Sequence, residues 1–308
     1  MSNLGFVEPQ LLTAVEQPPQ GSNWIHEVKH GGYRTLLVIE GGKAHAYTRN
    51  GFDWTERYPG IVSEAGTLPC RAAILDGEII VQDERGVSDF EALRSAIRWL
   101  PHTLRFYAFD ILHLNGEDLR DQPLLDRRSK LKGLLGRDRT SPLQFSDEFT
   151  GDSAAFFRAC AKHGLEGVVS KLATSRYRSG RSKTWLKSKC FTESDLVIIG
   201  TDRDRKTGAL RALLATADGH NLTYAGAAFI GLRGDTWDAL GERLKHLAIK
   251  HAPLRGLRMK DAQWVEPRIT AKVRHLAGAK YLRHAVLKGC EVVNVSQDGR
   301  RRSGIEYS

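Results

Sequence analysis

A lysine followed by two glycines is the first place in the sequence where covalent chemistry could occur. Lys29 lies in the octapeptide EVKHGGYR (27–34), and the pattern predicts a strand that ends at this lysine. Glycine has no Cβ, so a phosphate could approach the backbone closely after Lys29. A lysine becomes a nucleophile only when its ammonium loses a proton, which burial and a nearby cation such as Arg34 promote. A surface hairpin with a solvated lysine fits the octapeptide equally well.

Carboxylates inside apolar runs are the second chemical signal. Asp76 and Glu78 stand in the run AAILDGEIIV, where a charged group is costly unless it is paired or ligated. Metal ligation or a hydrogen bond to a ribose would satisfy them, and a β-bulge with outward-facing carboxylates is the alternative. Glu166 and Lys171 flank the short apolar run GVVS in the same way.

Aromatic and basic residues on predicted strands complete the set. Phe109, in FYAFD, could stack on a base, although an aromatic residue in a strand is more often part of the core. Lys187 and Lys189 lie two positions apart, so on a strand both side chains point to one face and could converge on a polyphosphate. A charged edge strand is the alternative interpretation for both lysines.

The elements that position these residues are short and closely spaced. Residues 1–21 are predicted to be an irregular lead-in. Alternation and turn residues then predict strands at TLLVIEGG, KAHAYTRNG, RAAILDGEIIVQD, LRFYAFDILHLNG, LEGVVSKLA and KTWLKSKC. Apolar residues at helical spacing predict helices at GVSDFEALRSAIRWL, with Ser88 or Asp89 as N-cap, and at DRRSKLKGLLG and DSAAFFRACAKHG. Residues 1–190 therefore predict an α+β domain of antiparallel sheets with flanking helices.

The pattern changes after Cys190. SDLVIIGTDRD, ALRALLATADG and LTYAGAAFIG predict evenly spaced strands, and TWDALGERLKHLAIK predicts one helix. Short strands with a single helix are typical of a small oligonucleotide-binding (OB-fold) β-barrel, which we predict for residues 191–308.

Composition limits the class of protein. A chain of 308 residues suits two domains, and no apolar run approaches the roughly 20 residues of a membrane span. We expect a cytoplasmic, nucleoid-associated protein without a signal peptide or membrane contact. Four scattered cysteines argue against a zinc ribbon or a disulfide framework. The net charge of +10 favours a polyanionic partner such as nucleic acid, and basic residues cluster at 176–189 and at Arg300–Arg302.

The order of the motifs is more specific than any one of them. WIHEVKHGGYR, YTRNGFDWTERYP, LDGEIIV, FYAFDILHLNGEDLR, LEGVVSK and TWLKSKC, in this order, closely resemble the ATP-dependent DNA ligase family. The flanking residues resemble the ligase module of the bacterial ligases that serve non-homologous end joining. The resemblance runs from about residue 20 to about residue 290 and implies a nucleotidyltransferase (adenylation) domain followed by an OB-fold domain.

The resemblance implies roles for the residues that bind adenosine. Lys29 would attack the α-phosphate of ATP and hold AMP through a phosphoramide bond. Glu27 and the backbone beside Lys29 would help to hold adenine, and Phe109 would stack on it. Glu78 would lie at the ribose.

The resemblance also implies roles for the charged residues around the phosphates. Arg34 and Arg49 would contact the ribose or the phosphates, and Arg49 also the 5′-phosphate of a nick. Glu166 would help to bind Mg²⁺ or Mn²⁺, and Lys187 and Lys189 would neutralise phosphate charge. The implied reaction is lysine adenylylation, transfer of AMP to a DNA 5′-phosphate, and attack by the adjacent 3′-hydroxyl.

Two positions depart from the family pattern. The family reads Lys-x-Asp-Gly at its nucleophile, whereas Gly31 stands here in place of the aspartate. This change removes a hydrogen-bond acceptor and is expected to loosen the loop, which affects nick sealing more than chemistry at Lys29. Glu291 stands where end-joining ligases carry a basic residue near Lys288, and this reversal of charge affects adenylylation by ATP.

Three functions remain open on the sequence. The first is an ATP-dependent DNA ligase that seals nicks or breaks in duplex DNA, and the second is a degenerate paralogue that binds DNA ends without efficient sealing. An RNA ligase or a capping-type guanylyltransferase, which share the lysine chemistry, is the third. The resemblance further implies a Ku-type end-binding protein and separate polymerase and nuclease modules acting in trans, and we expect a monomer.

Overall fold

The structure is a computed structural model that describes residues 4–219, 221–278 and 281–292. The chain divides into two compact units, and the boundary lies between Cys190 and Phe191. The strands of the first unit are β1 (Gln10–Ala14), β2 (Trp24–Val28), β3 (Tyr33–Glu40), β4 (Lys43–Thr48), β5 (Ala72–Ile80), β6 (Arg105–Leu114), β7 (Glu117–Asp118), β8 (Leu143–Phe145), β9 (Glu148–Phe149), β10 (Gly167–Leu172) and β11 (Gly180–Lys189). Its α-helices are α1 (Pro59–Gly66), α2 (Phe90–Trp99), α3 (Leu124–Leu135) and α4 (Ser153–Lys162).

Two sheets form the framework of the first unit. One has the order β1-β11-β10-β2-β9, and the other has the order β4-β3-β5-β6-β7 with β8 beside β6. The pairs are antiparallel except β1 with β11 and β6 with β8. The predicted α+β class, dominated by antiparallel sheet, is therefore confirmed for this unit.

Strand β3 shows how the sequence builds the core. Its run of apolar residues is buried on both faces, because side chains alternate along a strand. Leu37 and Ile39 join the cluster covered by helices α1, α2 and α3. Leu36 and Val38 point the other way, into a cluster that also contains Trp185 of β11. Because its residues come from both sheets, this second cluster packs the two sheets together.

The predicted irregular lead-in was wrong at residues 10–14. These residues form β1, which pairs in parallel with β11 and shifts register between Leu12 and Thr13. Its partner strand lies about 170 residues away in the chain, so no local hairpin or turn signal indicates the pairing. The helix predicted after Asp89 is present as α2. Asp89 is its N-cap, because its side chain accepts hydrogen bonds from the backbone N–H groups of Glu91 and Ala92.

The second unit is built mainly from strands. They are β12 (Phe191–Arg203), β13 (Leu210–Asp218), β14 (Asn221–Ile230), β15 (Ala248–Ile249), β16 (Gln263–Leu276) and β17 (Val286–Val292), with helix α5 (Asp235–His246). The order is β12-β13-β14-β17-β16-β15, and β12 also pairs with β16, so the sheet closes into a ring. The last part of the predicted second domain, including Arg300–Arg302, lies outside the described residues.

No helix within the described residues is both long and apolar enough to span a membrane.

Candidate active site

The loop that carries Lys29 begins where β2 ends. The backbone N–H of Lys29 donates to the carbonyl of Gly167 at 2.9 Å, which continues the pairing of β2 with β10. This pairing brings Lys29 beside Glu166, and its Nζ lies 2.5 Å from Glu166 Oε1. The Lys29 ammonium also donates to the carbonyl of His30 at 3.3 Å. The side chains of Lys29 and Glu166 are mostly buried, at 16% and 7% exposure, so the Lys29 amine faces the protein rather than bulk water.

Glycine is required at two motif positions because other backbone lies against them. A Cβ on Gly32 would stand 2.1 Å from the carbonyl oxygen of Ile79, so the loop lies directly on β5. A Cβ on Gly167, whose φ is +154°, would stand 2.1 Å from the carbonyl oxygen of Ser188. These close approaches place the loop that carries Lys29 against β5 and the start of β10 against β11.

Gly31, where the family has aspartate, is buried and held. Its N–H donates to Ser88 Oγ at 3.0 Å. The sequence predicted a loosened loop at Gly31. In the structure Ser88, which lies outside the loop, accepts this hydrogen bond and holds the backbone there. The neighbouring His30 ring lies against Tyr107, with centroids 4.5 Å apart. Burial lowers the pKa of His30 to about 4, so this imidazole is neutral at physiological pH.

Phe109 and Trp185 form an aromatic wall with a lysine over it. Lys171 Nζ lies 4.3 Å from the Phe109 ring centroid and 4.4 Å from that of Trp185. Burial lowers the pKa of Lys171 to about 8, although the neighbouring Glu27 opposes this shift. The Phe109 ring meets Trp185 edge to face at 6.1 Å, which fixes its orientation.

The carboxylate of Glu27 is fully engaged by protein groups. Its Oε1 lies 2.6 Å from Lys171 Nζ and accepts from Arg128 Nη1 at 3.0 Å. Its Oε2 accepts from the Ser146 hydroxyl at 3.0 Å. Arg128 in turn binds Glu148, so four charged residues form one network behind the pocket.

Asp76 and Arg34 form a second buried pair. The guanidinium of Arg34 donates to the two oxygens of Asp76 at 2.7 and 2.6 Å, and the Tyr177 hydroxyl donates to the same carboxylate at 2.7 Å. Arg34 also lies over the Phe109 ring, with its Cζ 4.8 Å from the centroid. The register does shift beside Asp76, as a bulge requires, but this carboxylate faces inward and is paired.

Glu78 is the second carboxylate of the DGE motif and differs from Asp76. It lies opposite Arg34 in the pairing of β3 with β5 and lines the cavity described below. Burial raises the pKa of Glu78 to about 7, and Glu166 and Asp76 add to this shift while Lys29 and Arg34 oppose it. Glu78 is therefore a carboxyl group that a bound cation would readily ionise.

Three further predicted basic residues surround the loop. The backbone N–H of Arg49 donates to the carbonyl of Arg34 at 3.1 Å, and the Arg49 side chain is exposed. Burial lowers the pKa of Lys187, and the charges of Lys29 and Arg49 lower it further. Lys189 pairs with Gly167 in the register of β10 with β11, on the same strand face as Lys187.

A cavity of about 450 Å³ lies in front of these groups. This volume includes solvent at the open mouth of the cavity. The predicted residues in its wall are Glu27, Lys29, Arg34, Glu78 and Phe109. Arg49, Glu166, Lys187 and Lys189 are outside that wall, although Glu166 contacts Lys29 directly.

Both units of the chain match models of one protein family. A family model described as "ATP dependent DNA ligase domain" matches residues 10–189, and one described as "ATP dependent DNA ligase C terminal region" matches residues 205–291. The chain belongs to the ATP-dependent DNA ligase family. The predicted family is thus confirmed. Residues 205–291 lie in the second unit, where the strands form a ring and where an OB fold was predicted.

Curated relatives include end-joining proteins of two bacteria. The multifunctional non-homologous end joining protein LigD of Pseudomonas aeruginosa is 37% identical over 297 residues, covering 92% of this chain and 35% of the relative. The corresponding DNA repair protein of Mycobacterium tuberculosis is 32% identical over 264 residues, covering 83% of this chain and 34% of the relative. This ligase-family chain therefore spans about a third of the length of these relatives.

Solved structures give the same family. A mycobacterial DNA ligase D complexed with ATP and MES has a TM-score of 0.57 and 29% identity, covering 92% of this chain and 94% of that one. A Lig E DNA ligase, at 16% identity and a TM-score of 0.57, shares the fold.

Several residues that contact the site were not assigned a role in its chemistry from the sequence. Lys171, Arg128 and Ser146 surround Glu27, and Ser88 holds Gly31. Lys171 stands inside the quoted EGVVSK motif, so its charge in an apolar run was a usable signal. Arg128, Ser146 and Ser88 lie outside the motifs that carry the family resemblance, and no spacing in the sequence indicates their partners.

Proposed function

We propose that this chain is an ATP-dependent DNA ligase that seals nicks or breaks in duplex DNA through AMP carried on Lys29. The supporting observation is the position of the Lys29 amine, held by Glu166 beside a cavity that Phe109 and Glu78 line. We assign residues 1–190 as the adenylation domain and residues 191–308 as the OB-fold domain that closes on DNA.

The adenosine end of the cavity is the aromatic wall. Phe109 would stack on adenine, and its orientation is fixed by Trp185 and by Arg34 on one face. Glu27 would act at the base through its position in the wall and through the backbone beside Lys29, because its carboxylate is already shared by Lys171 and Arg128. Glu78 would accept a hydrogen bond from the ribose.

The phosphate end is the cationic side. Arg34 and Arg49 would contact the ribose or the phosphates, and the exposed Arg49 would also meet the 5′-phosphate of a nick. Lys187 and Lys189 share one strand face and would neutralise phosphate charge during transfer. Burial is the main cause of the lowered pKa of Lys187, and the nearby charges of Lys29 and Arg49 add to it, so a bound phosphate would favour the charged form of Lys187.

The chemistry consists of three displacements at phosphorus. Lys29 Nζ, once deprotonated, forms a P–N bond to the α-phosphorus of ATP, and pyrophosphate leaves with the broken P–O bond. An oxygen of the DNA 5′-phosphate then attacks this phosphorus, and the P–N bond breaks to return the lysine amine. The 3′-hydroxyl finally attacks the activated 5′-phosphate and loses its proton, and AMP leaves.

A divalent cation fits the donor groups present. No cluster of three or more histidine, cysteine, aspartate or glutamate residues is found within the described ranges. Mg²⁺ usually takes one or two carboxylates and completes its shell with substrate phosphates and water, so a single carboxylate site suffices. Glu166 would hold Mg²⁺ or Mn²⁺ together with substrate phosphates and water, and the ion would neutralise charge on the phosphates.

Labelling with ATP tests the proposal. Protein incubated with [α-³²P]ATP and Mg²⁺ is expected to retain label through denaturing electrophoresis, and Lys29→Arg is expected to abolish it. Lys43→Arg, an exposed lysine on β4, is the matched control and should label like wild type. Folded wild-type protein that takes no label contradicts the proposal, and label from GTP or sealing of RNA nicks in preference to DNA would redirect it to an RNA ligase or a capping enzyme.

A DNA-end-binding paralogue is the second candidate function. Gly31 lacks the family carboxylate, and Glu291 lies exposed on β17 where a basic residue is expected. The net charge of +10 would still support salt-dependent DNA binding. A nick-sealing assay under multiple turnover separates the two: sealing beyond one nick per protein supports the ligase, and binding without sealing supports the paralogue.

The cellular setting is proposed from the relatives. We propose duplex DNA with a nick or a double-strand break as substrate and a nucleoid-associated site of action. A Ku-type protein and separate polymerase and nuclease would act with this chain in trans, and the chain would work as a monomer.

A further inference from the structure

We propose that Ser88 is a positioning residue for adenylylation, holding the Lys29 loop at the residue where this chain lacks the family carboxylate. The inference rests on the proposed function. It concerns a residue outside every motif that carries the family resemblance.

The loop from Lys29 to Gly32 is anchored at each of its residues. Lys29 is tied to β10 through its backbone N–H, and the His30 ring rests on an aromatic neighbour in β6. Gly32 lies directly against the backbone of β5. At Gly31 the anchor is the hydrogen bond from its backbone N–H to the Ser88 hydroxyl.

Ser88 is itself held in a fixed position. It lies in the connection between β5 and α2 and makes an isolated bridge with Gln82. On one side of it, Asp83 N–H donates to the Val87 carbonyl at 2.8 Å, and on the other Asp89 N–H donates to the Val81 carbonyl at 2.8 Å. These bonds fix the Cβ of Ser88, and in the rotamer observed its hydroxyl accepts from Gly31 N–H, which is what a positioning group requires.

The contact compensates for the residue change at Gly31. A glycine in this loop has more backbone freedom to lose than any other residue. Among the residues that the structure describes, Ser88 Oγ has one hydrogen-bond partner, the Gly31 N–H. Without it this buried N–H would lose its acceptor, and the loop that aims the Lys29 amine would lose one of its four anchors.

The test compares Ser88→Ala with Ser88→Thr, which keeps the hydroxyl, and with Ser95→Ala on the exposed face of α2 as the matched control. Ser88→Ala is expected to lower the maximal rate of Lys29 adenylylation about tenfold. The concentration of ATP at half-maximal rate should stay unchanged, because Ser88 does not line the cavity. Ser88→Thr should restore most of the rate, and Ser95→Ala should match wild type.

Hydrogen–deuterium exchange gives a readout that does not depend on activity. In Ser88→Ala the peptide containing residues 29–32 should exchange faster, whereas peptides from β3 and β5 should not change. Unchanged exchange in that peptide overturns the inference, as does faster exchange with a wild-type rate of adenylylation. Wild-type protein that is folded but never adenylylated instead overturns the proposed function, and with it the catalytic part of this inference.

Discussion

Glu27 balances two cations in the interior, and neutralising it should destabilise the first unit. The side chains of Lys171, Arg128 and Glu27 are each no more than 3% exposed. In Glu27→Gln the amide still occupies the space and can still bond to Ser146. Among the described residues, the two cations would then keep the partly exposed Glu148 as an ion-pair partner and the charge of Asp110, which is itself paired with Arg127.

The magnitude follows from the loss of a buried partner. Removing one member of a buried ion pair costs about 3–5 kcal/mol, because the remaining charge has no compensation. Arg128 retains Glu148 and two backbone carbonyls, and Lys171 can release its proton because its pKa is already about 8. We therefore expect the lower end of the range, about 3 kcal/mol, in Glu27→Gln at pH 7.

Urea denaturation measures this change. The midpoint for Glu27→Gln should fall while the slope stays constant, because the surface exposed on unfolding is the same. Glu40→Gln, an exposed glutamate at the end of β3, should stay within about 0.5 kcal/mol of wild type. In Glu27→Gln/Lys171→Met the stability should partly recover, since the uncompensated lysine is gone and methionine packs well on aromatic rings.

A loss below about 1 kcal/mol in Glu27→Gln would refute this reasoning, because such a value is typical of an exposed ion pair. A double variant no more stable than the single one would refute the specific pairing of Glu27 with Lys171.

Three further predictions concern the glycines and Glu78. Gly31→Asp restores the family carboxylate and should raise the rate of nick sealing by about tenfold or more, whereas an unchanged rate would show that Gly31 is not the defect. The pKa of Glu78, raised to about 7, means that the folded state binds more protons than the unfolded state between pH 4.5 and 7. Stability should therefore fall as pH rises through this window, and Glu78→Gln should lessen that slope in urea titrations. Gly32→Ala would place a Cβ 2.1 Å from the Ile79 carbonyl and should lower the unfolding temperature and the yield of Lys29 adduct, while Gly60→Ala, with open space around it, should do neither.

The sequence predicted most of the strands because their signals are local. Alternation and turn residues place β3 to β6, and Asp89 marks the start of α2. Strand β1 could not be found in this way, because what makes it a strand is its parallel pairing with residues 180–187, far along the chain.

In the candidate site, too, the residues with a local sequence signal were predicted and those without one were not. Lys29 and Glu78 were found because each interrupts a local pattern, and Phe109 was found through the family resemblance; the structure brings all three to one cavity. The partners of Glu27 and Gly31 were not found, because Arg128 and Ser88 lie 101 and 57 residues away from them in the chain.

The sequence also left open what satisfies the carboxylates. It predicted that charges in the DGE run must be paired or ligated, and Asp76 is paired with Arg34 and Tyr177 while Glu78 lines the cavity. The two carboxylates are separated by one residue, and only the three-dimensional position of Arg34 distinguishes them.

The most direct test of the account is peptide mass spectrometry of the purified protein after incubation with ATP and Mg²⁺. We predict AMP on the peptide that contains Lys29, attached through Nζ and removed by added pyrophosphate. A fully folded protein whose Lys29 peptide carries no AMP, or whose AMP is found on another lysine, would contradict it.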